Sequence, residues 1–280
     1  MPDDDTPTTL ARRGPRRRYR LGGRRAGSAA VTTPLAKHPA KFSDPVLGEM
    51  GRLVRAEVRR AGGRRDYTRP MWLLDPLAGV GRIHTLGMPG RLETVGCEIQ
   101  QRWALCHPRT LWVDATVFLA WCVRHGITFD IIASSPTYGN RLSDHHDARD
   151  GSTRRSYRHD YGEELHPNNS GQLPWGTKYR TFHVELFRLL YDATRPGGLI
   201  LWNTSYIPKR GELVGVTEFH RGVALATGYI ESGYDIRVTT RRLRGVGVTA
   251  AQAEANPEGP AATDTRAPYE SIIRLRKPED

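Results

Sequence analysis

The chain has 280 residues, enough for one large domain or for one domain with arms and insertions. Lys and Arg outnumber Asp and Glu by 42 to 30, a formal charge of +12, which points to a polyanionic partner. No apolar run reaches the length of a membrane span. The start of the chain is acidic and then Arg-rich, without the apolar core of a signal peptide, so neither a membrane protein nor a secreted one is expected. Cys97, Cys106 and Cys122 lack C-x-x-C spacing and are read as reduced core thiols of a cytoplasmic protein, not as zinc ligands or disulfides.

Residues 1–30 carry Asp3 to Asp5 and then Arg12, Arg13, Arg16 to Arg18, Arg20, Arg24 and Arg25. Without hydrophobic periodicity they are expected to be a disordered arm, suited to a loose grip on phosphates. Residues 31–280 form the expected domain. The spacing of Val46, Leu47, Met50, Leu53, Val54 and Val58 predicts a helix over 46–60, with Asp44 as its N-cap and Pro45 in its first turn. Short apolar strands are expected at 71–75, 94–98 and 111–114. A short helix around Trp103 and another over 118–124 separate them from a central strand at 131–135. This alternation implies an α/β fold with a parallel sheet and crossovers on both faces.

The polar stretch at about 139–178 is too long for an ordinary connection and is read as a substrate-facing insertion. A helix over 179–194 and a strand over 199–203 follow it. Residues 214–232 read as mostly helix, and 234–242 and 269–277 as strands on either side of an Ala, Pro and Gly-rich loop.

Asp75, Glu98 and Asp114 each close a strand, and with Ser135 they mark successive strand ends of one sheet, the edge where open α/β sheets bind ligands. Gly79 and Gly81 let the backbone turn sharply beside a ligand. Glu98 suits ribose hydroxyls, and Asp114 suits an adenine amine. Ile83 and His84 stand where a dinucleotide fold has its third glycine, and Asp75 would repel a pyrophosphate, so a dehydrogenase is not expected. The same carboxylate would attract the ammonium group of an amino-acid-bearing nucleoside. In Ser135-Pro136-Thr137-Tyr138, the Ser hydroxyl and the Pro136 carbonyl can accept from an exocyclic amine, and the Tyr138 ring can stack on its base. Holding both amine protons would aim the nitrogen lone pair at an electrophile.

Asp75-Pro-Leu-Ala-Gly-Val-Gly81 resembles the D-P-F-A-G-x-G loop of S-adenosylmethionine-dependent DNA amino-methyltransferases. Ser135-Pro-Thr-Tyr138 resembles their S/D/N-P-P-Y motif, and residues 38–43 resemble the segment beside the methionine end of the cofactor. The resemblance spans about residues 37–277 and implies a Rossmann-like methyltransferase fold, a seven-stranded mostly parallel sheet with an antiparallel last strand. By this resemblance Phe42, Ser43, Asp75, Ala78, Gly79 and Gly81 would surround the methionine end of S-adenosylmethionine. Glu98 would take the ribose and Asp114 the adenine, with Ser135 beside the cofactor. Ser135, Pro136 and Tyr138 would be catalytic, acting on a base flipped out of double-stranded DNA. Thr137 stands where the family usually has a second proline, which stiffens the turn; threonine is read as a tolerated variant.

The implied activity is methyl transfer to the exocyclic amine of a DNA base, as in restriction-modification. The first-position Ser favours N4 of cytosine over N6 of adenine. An RNA base methyltransferase and a catalytically decayed DNA-binding relative are the alternatives. Arg141, Arg154, Arg155 and Arg158 would contact phosphates, with Asn168 and Asn169 near base edges. His145, His146 and Asp147 have no recognised ligand spacing, so no metal is expected, nor an obligate protein partner. With no large recognition domain expected after the sheet, sequence choice would come from the insertion, the arm or the loop at 245–268.

Overall fold

The computed structural model describes residues 42–62, 69–139, 165–209, 212–233, 235–239 and 269–279. The Arg-rich arm, Arg141, Arg154, Arg155, Arg158, the cluster at 145–147 and the loop at 245–268 lie outside the described residues. Among the described residues no helix is long and apolar enough to cross a membrane.

Helix α1 (Asp44–Gly62) buries Val46, Met50, Leu53, Val54, Val58 and Ala61, a stripe at helical spacing that faces the sheet. Its cap is Ser43, not Asp44. The Ser43 carbonyl accepts from Leu47 N at 2.9 Å and closes the first turn, so the helix begins one residue earlier than the Asp-Pro step suggests. Asp44 instead sits in the first turn, where a negative charge suits the helix dipole, and it pairs with Arg82.

Strands β1 (Met71–Asp75), β2 (Leu92–Glu98), β3 (Thr110–Trp112) and β4 (Phe129–Ser134) alternate with α2 (Gln101–Ala104) and α3 (Ala115–Arg124). Helix α4 (Thr177–Ala193) leads into β5 (Thr194–Thr204). A hairpin of β6 (Ile207–Lys209) and β7 (Glu212–Val214) precedes α5 (Val216–Thr227). Then come β8 (Ile230–Glu231), β9 (Ile236–Thr239) and β10 (Tyr269–Arg276). The hairpin has no counterpart in the sequence reading, and β8 falls within the stretch expected to be helical. Gly228, at φ 116°, ends α5 before it.

The sheet runs β3-β2-β1-β4-β5-β10-β8, with β9 also on β10. Strands β1 to β5 pair in parallel, and β10 is antiparallel to β5, β8 and β9. Since β8 and β9 share one edge of β10, they amount to one interrupted strand. The result is the mostly parallel, Rossmann-like seven-stranded sheet that the resemblance implied, with a single antiparallel strand next to its edge. Strand β5 starts at Thr194, ahead of the expected Leu199. The Arg-Pro-Gly-Gly step is a bulge inside the strand, marked by the register shift between Phe129 and Ile131 and by Gly197 at φ 69°.

Side-chain alternation divides the core in two. Leu73, Ile131, Ala133, Leu199, Leu201 and Ile272 pack under α1, while Leu74, Ile132, Ile200, Trp202 and Ile273 pack under α3, α4 and α5. With both faces covered, β4 is buried at every residue, which explains its mostly apolar composition; its one acid, Asp130, is met by Arg195 at 2.7 Å. Neighbours of β1 are β2 on one side and β4 on the other, so the chain changes direction across the sheet between β1 and β4. A crevice opens at their carboxyl ends, where Asp75 and Ser135 lie.

Candidate functional site

Asp75 ends β1 fully buried. Its Oδ1 accepts from Leu77 N at 3.0 Å and from the Ser134 hydroxyl at 2.7 Å, which ties the glycine loop to the end of β4. Its Oδ2 is buried without a hydrogen-bond partner among the described residues. Burial pushes the carboxyl up to about 7 against the pull of those two bonds. Glu98, at the end of β2, is pushed to about 7 by burial and by the Asp75 charge, although Gln100 N and Gly79 N donate to it at 2.7 and 3.0 Å. Two buried carboxyls held this high favour a cationic or hydroxylated guest.

Glycines shape the loop between them. Gly79 and Gly81 have φ of 54° and 77°, the left-handed region that suits glycine. A side chain at Gly81 would also lie 2.7 Å from the His107 Cβ. His84, where a dinucleotide loop has its last glycine, is locked in a 3-10 turn (Arg82–Leu86) between the Thr94 and Thr110 hydroxyls, each at 2.9 Å. Burial brings its ring down to about 3, so it stays neutral and structural.

Asp114 is the N-cap of α3, its Oδ1 accepting from Thr116 N at 2.8 Å and from the Thr116 hydroxyl at 2.7 Å. It therefore begins a helix instead of ending β3. Glu98, Asp114 and Ser135 line one cavity of about 60 Å³ together with Phe182, Thr137 and Ser170. Binding sites for drug-sized ligands are on the order of 300 Å³ or more. The described end of the insertion contributes one wall, formed by Asn168, Asn169 and Ser170. This segment is held by Gln100, whose Oε1 accepts from His166 N at 2.7 Å, and by the Thr137 hydroxyl, which donates to Ser170 O at 3.2 Å.

Phe42 packs into the core beneath α1 at 5% exposure, and its carbonyl accepts from Arg82, so this segment meets the glycine loop through an arginine absent from the sequence reading. Pro76 and Leu77 line the cavity, and Asp75, Ala78, Gly79 and Gly81 do not. Trp175 is a packing residue, with its ring against Tyr179 at 5.4 Å and Phe219 at 5.5 Å.

The motif turn holds two partners that sequence reasoning missed. Tyr138 donates to Glu270 Oε2 at 2.9 Å and sits 3.2 Å from Ser135 Oγ. Asn203 Nδ2 lies 2.6 Å from the same Glu270 oxygen, 2.8 Å from Tyr138 Oη and 3.0 Å from Ser135 Oγ. Turning the Asn203 amide over would set Oδ1 against the carboxylate, so Glu270 fixes which end faces the motif. Burial and the Glu270 charge push the Tyr138 phenol well above its ordinary range, so it keeps its proton. With the Tyr138 proton committed to Glu270, a bond between the two hydroxyls has Ser135 as its donor and Tyr138 Oη as its acceptor. Ser135 Oγ then retains lone pairs and acts as an acceptor. A signal for Asn203 existed, a polar residue closing an apolar strand. Glu270 carried none, since its place depends on the antiparallel register of β10.

No protein-family model and no curated protein matches the sequence. Among solved structures, the chain is similar to TrmN from Thermus thermophilus, at 16% identity and a TM-score of 0.41 over 81% of this chain and 48% of that one. It thus spans about half the length of TrmN. It is also similar to the N-methyltransferase NodS from Bradyrhizobium japonicum WM9, at 10% identity and a TM-score of 0.43 over 84% of this chain and 98% of that one. A third likeness is to the magnesium protoporphyrin IX methyltransferase of Synechocystis PCC 6803 with bound SAM, at 9% identity and a TM-score of 0.41 over 85% and 86% of the two chains. Likeness this distant adds nothing on substrate, and the architecture rests on the chain's own strand order.

Among the described residues no group of His, Cys, Asp and Glu is arranged to hold a metal ion. Glu98 and Asp114 face one cavity with acceptor capacity left, which suits a hydroxylated organic cofactor, while the unpartnered Oδ2 of Asp75 is buried outside the lining of that cavity.

Proposed function

We propose that the protein transfers a methyl group from S-adenosylmethionine to the exocyclic amine of a base in DNA, N4 of cytosine ahead of N6 of adenine. The observation that carries this reading is the Ser135–Tyr138–Asn203–Glu270 cluster, in which Ser135 Oγ keeps a lone pair for an amine when its own proton goes to Tyr138, beside the cavity of Glu98 and Asp114. An acceptor at that position suits an N–H donor such as an amine.

The cofactor would contribute an electrophilic methyl group on a sulfonium. Asp75 would pair with its ammonium group, Glu98 with ribose hydroxyls and Asp114 with the adenine amine. Ser135 Oγ and the Pro136 carbonyl would each accept one N–H of the target. This draws the nitrogen lone pair out of conjugation and holds it for attack. The amine nitrogen would gain the methyl carbon as the carbon–sulfur bond broke, and one amine proton would leave to solvent. Tyr138 would stack on the flipped base with its hydroxyl anchored to Glu270, so the ring cannot swing away. A charge of +12 supports a polyanionic carrier for that base.

Purified protein, S-adenosylmethionine and either unmodified DNA or total RNA, digested to nucleosides and read by mass spectrometry, test the proposal. N4-methylcytosine or N6-methyladenine in DNA is the expected result. Methyl groups in RNA alone would replace DNA with RNA. Cofactor binding without methylation of either polymer would overturn the enzymatic reading in favour of a retired active site.

A further inference from the structure

Three fully buried side chains link the motif turn to the core. Trp202 lies on β5, His220 on α5 and Tyr179 in the first turn of α4, each at 0% exposure. Trp202 Nε1 lies 3.0 Å from His220 Nδ1, His220 Nε2 lies 2.8 Å from Tyr179 Oη, and Tyr179 Oη lies 2.8 Å from the Thr137 carbonyl oxygen.

The direction of this chain is not free. An indole N–H only donates, so His220 Nδ1 accepts and the neutral ring carries its proton on Nε2. That proton goes to Tyr179 Oη. A carbonyl only accepts, so the Tyr179 proton goes to Thr137 O. The neighbouring His183 stands 4.5 Å away edge-on and donates from Nδ1 to Tyr179 O at 2.9 Å. Burial, with His183 second, holds the His220 ring well below its usual range, which favours the same neutral ring that the Trp202 bond requires.

Thr137 occupies the place where the motif's relatives by resemblance carry a second proline. A proline would restrain the turn through φ. Here the peptide plane between Thr137 and Tyr138 is restrained through its oxygen, and the Thr137 hydroxyl adds a bond to Ser170 O at 3.2 Å that proline could not make. We propose that Tyr179, oriented by His220 and Trp202, is a positioning residue that sets the angle at which Tyr138 leaves the motif turn, in place of the missing proline. This rests on reading 135–138 as the amine-binding motif.

The test compares wild type, Tyr179→Phe, Thr137→Pro and Tyr179→Phe/Thr137→Pro. Tyr179→Phe deletes one hydroxyl and keeps the ring in the core. Amide hydrogen exchange of the peptide covering 135–139, read by mass spectrometry, should rise about tenfold in Tyr179→Phe and return toward wild type in the double variant. Single-turnover methyl transfer to DNA should fall by about tenfold or more in Tyr179→Phe and recover most of the loss in the double variant, with S-adenosylmethionine affinity by calorimetry unchanged throughout. A role in core stability alone would not be rescued by a proline in the turn. Unchanged exchange in Tyr179→Phe, or a double variant no better than the single, overturns the proposal. Wild type that transfers no methyl group overturns the enzymatic reading instead, and the exchange arm still decides the clamp. Should Tyr179→Phe not fold, the same comparison uses Trp202→Phe with and without Thr137→Pro. The released His220 ring could then accept from Tyr179 and draw its proton off the Thr137 carbonyl.

Discussion

Replacing Asp75 with Asn separates the cost of burying a charge from the use made of it. Both of its donors lie on Oδ1, Oδ2 has none among the described residues, and burial carries the carboxyl from 3.8 to about 7. The folded state therefore keeps the proton to higher pH than the unfolded state, and wild-type stability falls as pH rises from about 4 through 7. At roughly 1.4 kcal/mol per pH unit, the ceiling on this penalty is about 2 kcal/mol at pH 5 and about 4 kcal/mol at pH 8. Asparagine has no charge to bury and keeps an oxygen for both donors. Its amide protons find no acceptor, a cost of about 1–3 kcal/mol that does not vary with pH. The stability of Asp75→Asn relative to wild type should thus improve by up to about 3 kcal/mol between pH 5 and pH 8. Removing the Asp75 charge also eases ionisation of Glu98, which acts in the same direction. Urea unfolding at the two pH values, with equal m values, measures the change. The same relative stability at both would refute the buried-charge argument. In calorimetry at pH 8 the variant should bind S-adenosylmethionine about a hundredfold more weakly, the worth of a charged hydrogen bond. Retained affinity would remove Asp75 from the cofactor site.

Glu270→Gln lets position 270 donate to Tyr138, which turns the phenol proton toward Ser135 and takes away its acceptor role. Turnover should fall about tenfold with cofactor affinity unchanged, and equal kcat in both proteins would sink the hydroxyl-direction argument. Glu57 accepts from Arg276 at 2.9 and 3.0 Å and from Arg60 at 2.7 and 3.0 Å. Burial alone would raise its carboxyl, but these bonds outweigh burial and bring it down to about 2. Its contribution of about 3 kcal/mol is complete above pH 4.5 and is lost as pH falls through 2. Glu57→Gln, which leaves two guanidinium groups short of a charge, should cost about 3–5 kcal/mol at pH 7, checked by chemical denaturation. Finally, a cavity of about 60 Å³ cannot take a nucleoside until the wall at 168–170 shifts. S-adenosylhomocysteine should therefore alter hydrogen exchange of the amides at 165–172 while those of β4 stay protected, and an undisturbed wall in the complex would contradict this.

Much of the fold was legible because burial imposes a period on the chain. Strand β4, covered on both faces, reads as the apolar run Ile131–Ala133, and α1 reads as a 3.6-residue stripe. Acids at the ends of β1 and β2, and the glycines between them, could be placed at one sheet edge because parallel strands all end there. Local signals were weaker where two neighbouring residues competed for one role, as at Ser43 and Asp44, or where a Pro-Gly-Gly step served as a bulge inside β5 and not as a stop. By itself, then, the sequence determined the layered α/β plan, the glycine loop and the motif turn, since each follows from residue types at short spacing. Only the tertiary structure decided which hydroxyl of the site accepts and what steadies Thr137. Glu270 comes from 132 residues beyond Tyr138, and His220 from 41 beyond Tyr179. Hydrogen bonds are directional and short-ranged, so partners this far apart in sequence become visible only once strand register and helix packing have set them within 3 Å of one another.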